Sequence, residues 1–162
     1  MTKRLILMRH AHASDSASTD FERHLSNPGR RQAREVGQFL ESAGIEYALV
    51  SAAVRAQETF AEMKLGVPSE KIKALYDCSA DTMMSKIAEA DEAINTLLVV
   101  AHAPAIVHLA SRLQFYVEAE DSCDVRCHFC TSDYAIFEFD LPWAHLAERF
   151  FNDQPLGPIR RL

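Results

Sequence analysis

The sequence lacks any apolar run long enough for a membrane span or for the core of a signal peptide. Its first run, Leu5 to Met8, stops after four residues at Arg9, so a cytoplasmic protein is expected. It also lacks an excess of positive charge: 17 Lys and Arg stand against 23 Asp and Glu, for a net charge of −6. Such a surface does not attract nucleic acid or anionic lipid, and any anion site has to be a local cluster of cationic side chains. Low-complexity tracts and long linkers are missing as well, so residues 1–162 read as one domain. Cysteine is scarce, with Cys78, Cys123, Cys127 and Cys130 expected as reduced thiols. The stretch "CDVRCHFC" offers Cys123, Cys127, His128 and Cys130 as zinc ligands. Structural zinc takes paired cysteine knuckles and only one such spacing exists here, so no metal and no cofactor is expected.

What is present is a regular alternation of strand-like and helix-like segments. Residues 5–8 are continuously apolar, and residues 96–101 form a buried strand that is apolar from Leu97 on, as strands covered on both faces are. Residues 47–51, "YALVS", form a further strand, residues 72–75 a weaker one, and "YAIFEFD", residues 134–140, alternates with one wetter face. Between them, Ser26 or Asn27 caps a helix with Pro28 in its first turn and Ala33, Val36, Gly37 and Leu40 on one face, stopped by Gly44. Ser51 is expected to cap a helix running to Met63, a third helix covers residues 82–90, and Pro104 opens a fourth that carries Leu109 and Leu113. This order predicts an α/β fold, a three-layer α/β/α sandwich around a mostly parallel sheet. Ligands of such sheets bind beyond the carboxyl ends of the strands.

Two stretches place unusual chemistry there. "LILMRHA" ends an apolar strand in Arg9 and His10, and "LLVVAHAP" ends another in His102. Arg55 falls in the first turns of the helix after the second strand and can face the same mouth. Guanidinium groups gathered at one point need an anion between them, and a phosphoryl group fits their bidentate forks. A neutral imidazole held at a strand end is a nucleophile towards phosphorus, and a second imidazole can donate to the equatorial oxygens.

These blocks, with "SAAVRAQET" around Arg55, resemble the histidine phosphatase superfamily, which has the phosphoglycerate mutase-like fold. The small size and the segment "DFERHLSNPGRRQA" resemble its SixA-type branch, the phosphohistidine phosphatases. The resemblance implies His10 as nucleophile, Arg9 and Arg55 as phosphate clamps, and His102 as a stabiliser of the transferring phosphoryl. It implies Arg23 as a further phosphate contact and offers Asp77 as the nearest candidate for a general acid. Ala11 and Ala52 stand where the superfamily commonly has Gly and Pro, and Asp77 is shorter than the Glu found elsewhere in it. The implied activity is metal-independent dephosphorylation of phosphohistidine on a protein, with a histidine-containing phosphotransfer protein as partner. A small-molecule phosphomonoesterase of the same superfamily and a non-catalytic phosphate-binding module are the alternatives. Few connections are long enough for a lid; residues 115–132 are the main one, and an open site favours a protein substrate. His12 lies close enough to the mouth to touch substrate. Phe137, Phe139 and Trp143 are expected in the core, and the C-terminal "GPIRRL" as a solvated tail.

Overall fold

A computed structural model describes residues 1–117 and 129–162. Cys123, Cys127 and His128, three of the four residues considered for zinc, and most of the connection considered as a lid lie outside the described residues. Among the described residues, no helix is long and apolar enough to cross a membrane. Nor does any group of three or more His, Cys, Asp or Glu side chains there stand ready to hold a metal ion.

Among the described residues, six strands form one sheet: β1 (Lys3–Arg9), β2 (Tyr47–Ser51), β3 (Ser69–Ile72), β4 (Thr96–Ala101), β5 (Tyr134–Phe139) and β6 (Arg160–Arg161). Their spatial order is β3-β2-β4-β1-β5-β6. The first four run parallel, while β5 pairs antiparallel with both β1 and β6. The continuous apolar runs of β1 and β4 have the reason anticipated, since successive side chains enter opposite faces. Leu5, Leu7, Leu97 and Val99 enter the core under α3 (Ala80–Ala88), α4 (Ala105–Gln114) and α5 (Trp143–Phe151). Ile6, Met8, Leu98 and Val100 enter the core under α1 (Asn27–Leu40) and α2 (Val54–Met63). The result is the expected three-layer sandwich. Phe137, Phe139 and Trp143 are buried in the first of these cores.

Local chemistry sets the ends of α1. The Ser26 side chain accepts from Gly29 N–H, Pro28 occupies the first turn, and Gly44 closes the C-terminal side at φ 71°. Gly37 lets α1 meet α2 closely, because a Cβ there would sit 2.2 Å from the Met63 carbonyl oxygen.

Several boundaries differ from the sequence reading. Ile72 ends β3 rather than starting a strand, and residues 73–75 form a 3-10 turn. Ile72 and Leu75, three apart, are both buried by that turn, which a strand would not do. The third helix starts two residues earlier than expected because Ser79 caps it, accepting from Thr82 N–H. Ser51 does not cap α2, which begins at Val54 without a side-chain cap. The C-terminal segment is not a solvated tail: Leu156 and Ile159 are buried, and Arg160 pairs with Glu138 across β5 and β6. Helix α5 has no counterpart in the sequence reading.

Candidate active site

The carboxyl ends of β2, β4 and β1 lie side by side and deliver Ser51, His102 and His10. The backbone of His10 is fixed on three sides. Its N–H donates to Ala101 O (3.0 Å), its carbonyl accepts from Ser132 N–H (3.0 Å), and the next N–H, of Ala11, donates to Thr59 Oγ1 (3.0 Å). Thr59 in turn donates to Arg55 O (2.6 Å), which ties the start of α2 to the end of β1. The methyl of Ala11 is fully buried in the core beneath α1 and α2, so it does not crowd the mouth of the site.

The side chains converge. The His10 and His102 ring centroids are 5.1 Å apart. His10 Nε2 accepts from Arg55 Nε–H (3.2 Å), which assigns the ring proton to Nδ1 and lets it donate to Ala11 O (2.7 Å). That tautomer turns the basic nitrogen towards the arginines. Burial, supported by the positive charges of Arg55, Arg9 and Arg23, lowers the His10 pKa to about 4. Burial likewise lowers that of His102 to about 3, with the neighbouring His10 and Arg55 contributing. Both rings are therefore neutral near pH 7.

His102 Nε2 lies 2.7 Å from Ser51 Oγ. That hydroxyl oxygen also accepts from Ala53 N–H (3.3 Å), and in the tautomer with its proton on Nδ1 the His102 ring accepts the Ser51 hydroxyl proton at Nε2. His102 Nδ1 is buried without a hydrogen-bond partner among the described residues. Arg9 Nε is in the same condition, while its Nη1 donates to Phe129 O (3.1 Å). The unpartnered Arg9 Nε–H and the unpartnered His102 Nδ1, beside the neutral His10 ring and the buried Arg55, match the oxygens of a small anion.

The third strongly involved region is the segment between β1 and α1. Asp20 holds Arg55 through its backbone oxygen (2.7 Å to Nη1) and its carboxylate (3.1 Å to Nη2). The same carboxylate accepts from Arg23 Nη1 (3.2 Å) and from Tyr76 O–H (2.8 Å). Tyr76 also sets its ring edge against His102, at a centroid distance of 5.7 Å.

Of the residues singled out in the sequence, His10, His102, Arg9 and Arg55 come together, and Arg23 joins them through Asp20. Asp77 lies next to this group, exposed on a left-handed turn at φ 51°, and bonds to none of its members among the described residues. His12 is exposed and pairs with Ser26 at 2.7 Å, on the helix cap. Sequence reasoning missed Asp20, Ser51, Thr59 and Tyr76 as parts of the site. Ser51 and Asp20 carried a signal, since each stands within a few residues of a motif arginine, but their partners come from elsewhere in the chain.

The family model of the histidine phosphatase superfamily (branch 1) matches residues 5–95, more than half of the chain. The chain belongs to this superfamily. Within it, the phosphohistidine phosphatase SixA of Escherichia coli is 30% identical over 117 residues, which covers 67% of this chain and 73% of that protein. Among solved structures, a provisionally assigned SixA from Nakamurella multipartitia superposes with a TM-score of 0.85 at 26% identity, covering 100% of this chain and 94% of that one. The structure of the protein histidine phosphatase SixA complexed with tungstate superposes with a TM-score of 0.70 at 26% identity, covering 87% and 90%. The superfamily assignment makes this chain a phosphatase, and its fold is the one those SixA structures share.

Proposed function

We propose that the protein is a phosphohistidine phosphatase that works through a phosphohistidine intermediate on His10. The observation that carries the proposal is the His10 ring itself. It is neutral, its Nδ1 proton is anchored on Ala11 O, and its Nε2 lone pair points at Arg55 beside a second neutral imidazole. The likeness to SixA proteins, one of them holding tungstate, supports both the oxyanion and the class of substrate.

In the first step His10 Nε2 attacks phosphorus in line. The new N–P bond forms as the P–N bond to the substrate imidazole breaks, and the departing nitrogen takes a proton from water. Arg55 Nε–H, no longer needed by the Nε2 lone pair, turns to a phosphoryl oxygen, with Arg9 and His102 Nδ1–H on the others. In the second step water attacks phosphorus, the His10 N–P bond breaks, and inorganic phosphate leaves with the proton balance restored. The guanidinium groups supply the positive charge that this transfer needs, which supports a route without a metal ion. An imidazole leaves more readily than an alkoxide, so the chemistry does not demand a strong general acid, in keeping with the exposed position of Asp77. The partner is then a phosphorylated protein, with a histidine-containing phosphotransfer protein as the natural class.

Rapid mixing with a 32P-phosphohistidine protein should leave label on the enzyme that survives alkali and is lost in acid. His10→Ala should abolish both label and turnover. Alkali-labile label, or label persisting in His10→Ala, would refute the proposal.

A further inference from the structure

Asp20 is an anion already bonded to Arg55, which the proposed mechanism gives to phosphate, and to Arg23, which the superfamily resemblance implies as a further phosphate contact. One carboxylate oxygen accepts from Arg55 Nη2 (3.1 Å) and Tyr76 O–H (2.8 Å), and the other accepts from Arg23 Nη1 (3.2 Å). No shortage of partners elsewhere forces this arrangement. The Asp20 side chain is 54% exposed and could be satisfied by water, whereas the side chain of Arg55 is only 7% exposed. The loop that carries it is fastened independently of the carboxylate. Val54 N–H donates to Phe21 O (3.1 Å), Leu25 N–H to Glu58 Oε2 (2.7 Å), and Arg23 Nε to Ser14 O (2.9 Å). The backbone oxygen of Asp20, which any residue would supply, already holds Arg55 Nη1 at 2.7 Å. What the side chain adds is negative charge at a site for negative charge.

We propose that Asp20 is an internal counter-anion of the site, whose carboxylate competes with the phosphoryl group for Arg55 and Arg23 and so weakens retention of oxyanions and speeds release of product phosphate. The inference rests on the phosphoryl-transfer reading above and deepens it. A site built from several cationic donors around one dianion would otherwise bind phosphate tightly, and a hydrolase that holds its product turns over slowly. Asp20 is a positioning residue in this scheme: it acts through the arginines and touches no reacting atom. The carboxylate also keeps Arg55 charge-balanced while the anion exchanges, so the buried guanidinium is never left without a partner.

The test is titration of inorganic phosphate and of tungstate into the wild-type protein and into Asp20→Asn, Asp20→Ala and Asp20→Glu, by calorimetry at fixed ionic strength. Removing one negative charge a few ångströms from a bound dianion should tighten both oxyanions about tenfold in Asp20→Asn and Asp20→Ala, with Asp20→Glu near wild type. In steady state the same two variants should show a lower KM, stronger inhibition by product phosphate and a lower kcat. A purely structural role for Asp20 moves binding the other way, since misplaced arginines bind oxyanions more weakly. Unchanged or weaker binding in Asp20→Asn and Asp20→Ala, or failure of both to fold, would overturn the inference. A wild-type protein that binds neither phosphate nor tungstate would instead sink the phosphoryl-transfer reading, and this inference with it.

Discussion

Moving the protein from pH 7 to pH 5 should cost it stability through His10 in particular. In the unfolded chain the ring titrates near 6.5 and takes up its proton over this interval, whereas in the folded chain it titrates at about 4 and does not. The unfolded state therefore binds more protons, and stability falls as pH falls, beginning below 6.5 and levelling off near 4. Worked through the linkage relation, the loss between pH 7 and pH 5 is about 2 kcal/mol for this one ring. His102, which titrates at about 3 when folded, adds a loss of similar size, and at pH 5 neither folded ring is charged, so the two do not interfere. The assay is urea unfolding of the wild type and of His10→Asn at both pH values. Every other titrating group appears in both proteins and cancels, so the variant should lose about 2 kcal/mol less than the wild type on acidification. Imidazole NMR titration of the folded protein gives the direct check. If the two proteins lose the same stability within about 0.5 kcal/mol, or if the His10 ring titrates near 6.5, the desolvated neutral nucleophile is an error.

Two further outcomes follow from single contacts. Ser51→Ala removes the hydroxyl that hydrogen-bonds His102 Nε2, so turnover should fall about tenfold or more, and 15N NMR should show a changed balance between the two His102 tautomers. Gly37→Ala puts a Cβ 2.2 Å from the Met63 carbonyl oxygen. It should destabilise the fold by about 2 kcal/mol in urea unfolding, despite the better helix propensity of Ala, and leave phosphatase activity intact below the melting transition.

Much of the architecture was legible because the strands are short, apolar and bracketed. Residues 5–8 and 97–101 are apolar without alternation, which only burial on both faces explains, and a histidine follows each within two residues. The boundaries that slipped did so where local signals compete. Ser51 has the side chain of a helix cap, yet its hydroxyl is drawn to His102, 51 residues away. The "GPIRRL" segment looks polar until Ile159 is seen at 0% exposure, since one buried side chain outweighs two charged neighbours that lie along a sheet edge. In the site, the charged members announced themselves through their motifs. Asp20 signalled only through its nearness to Arg23, and Tyr76 and Thr59 not at all, because a phenol after a turn and a hydroxyl inside a helix are ordinary until folding supplies their partners.

The hydrogen-bonded register of β1 and β4 has a consequence for how such proteins diverge. Arg9 sits opposite Ala101, and the two histidines are simply the next residues on neighbouring rungs. Their spacing is thus dictated by the repeat of a parallel sheet, a length that no side-chain replacement elsewhere can stretch. Loops, helices and the far edge of the sheet are free to be rebuilt around different partners while the backbone separation of positions 10 and 102 stays constant.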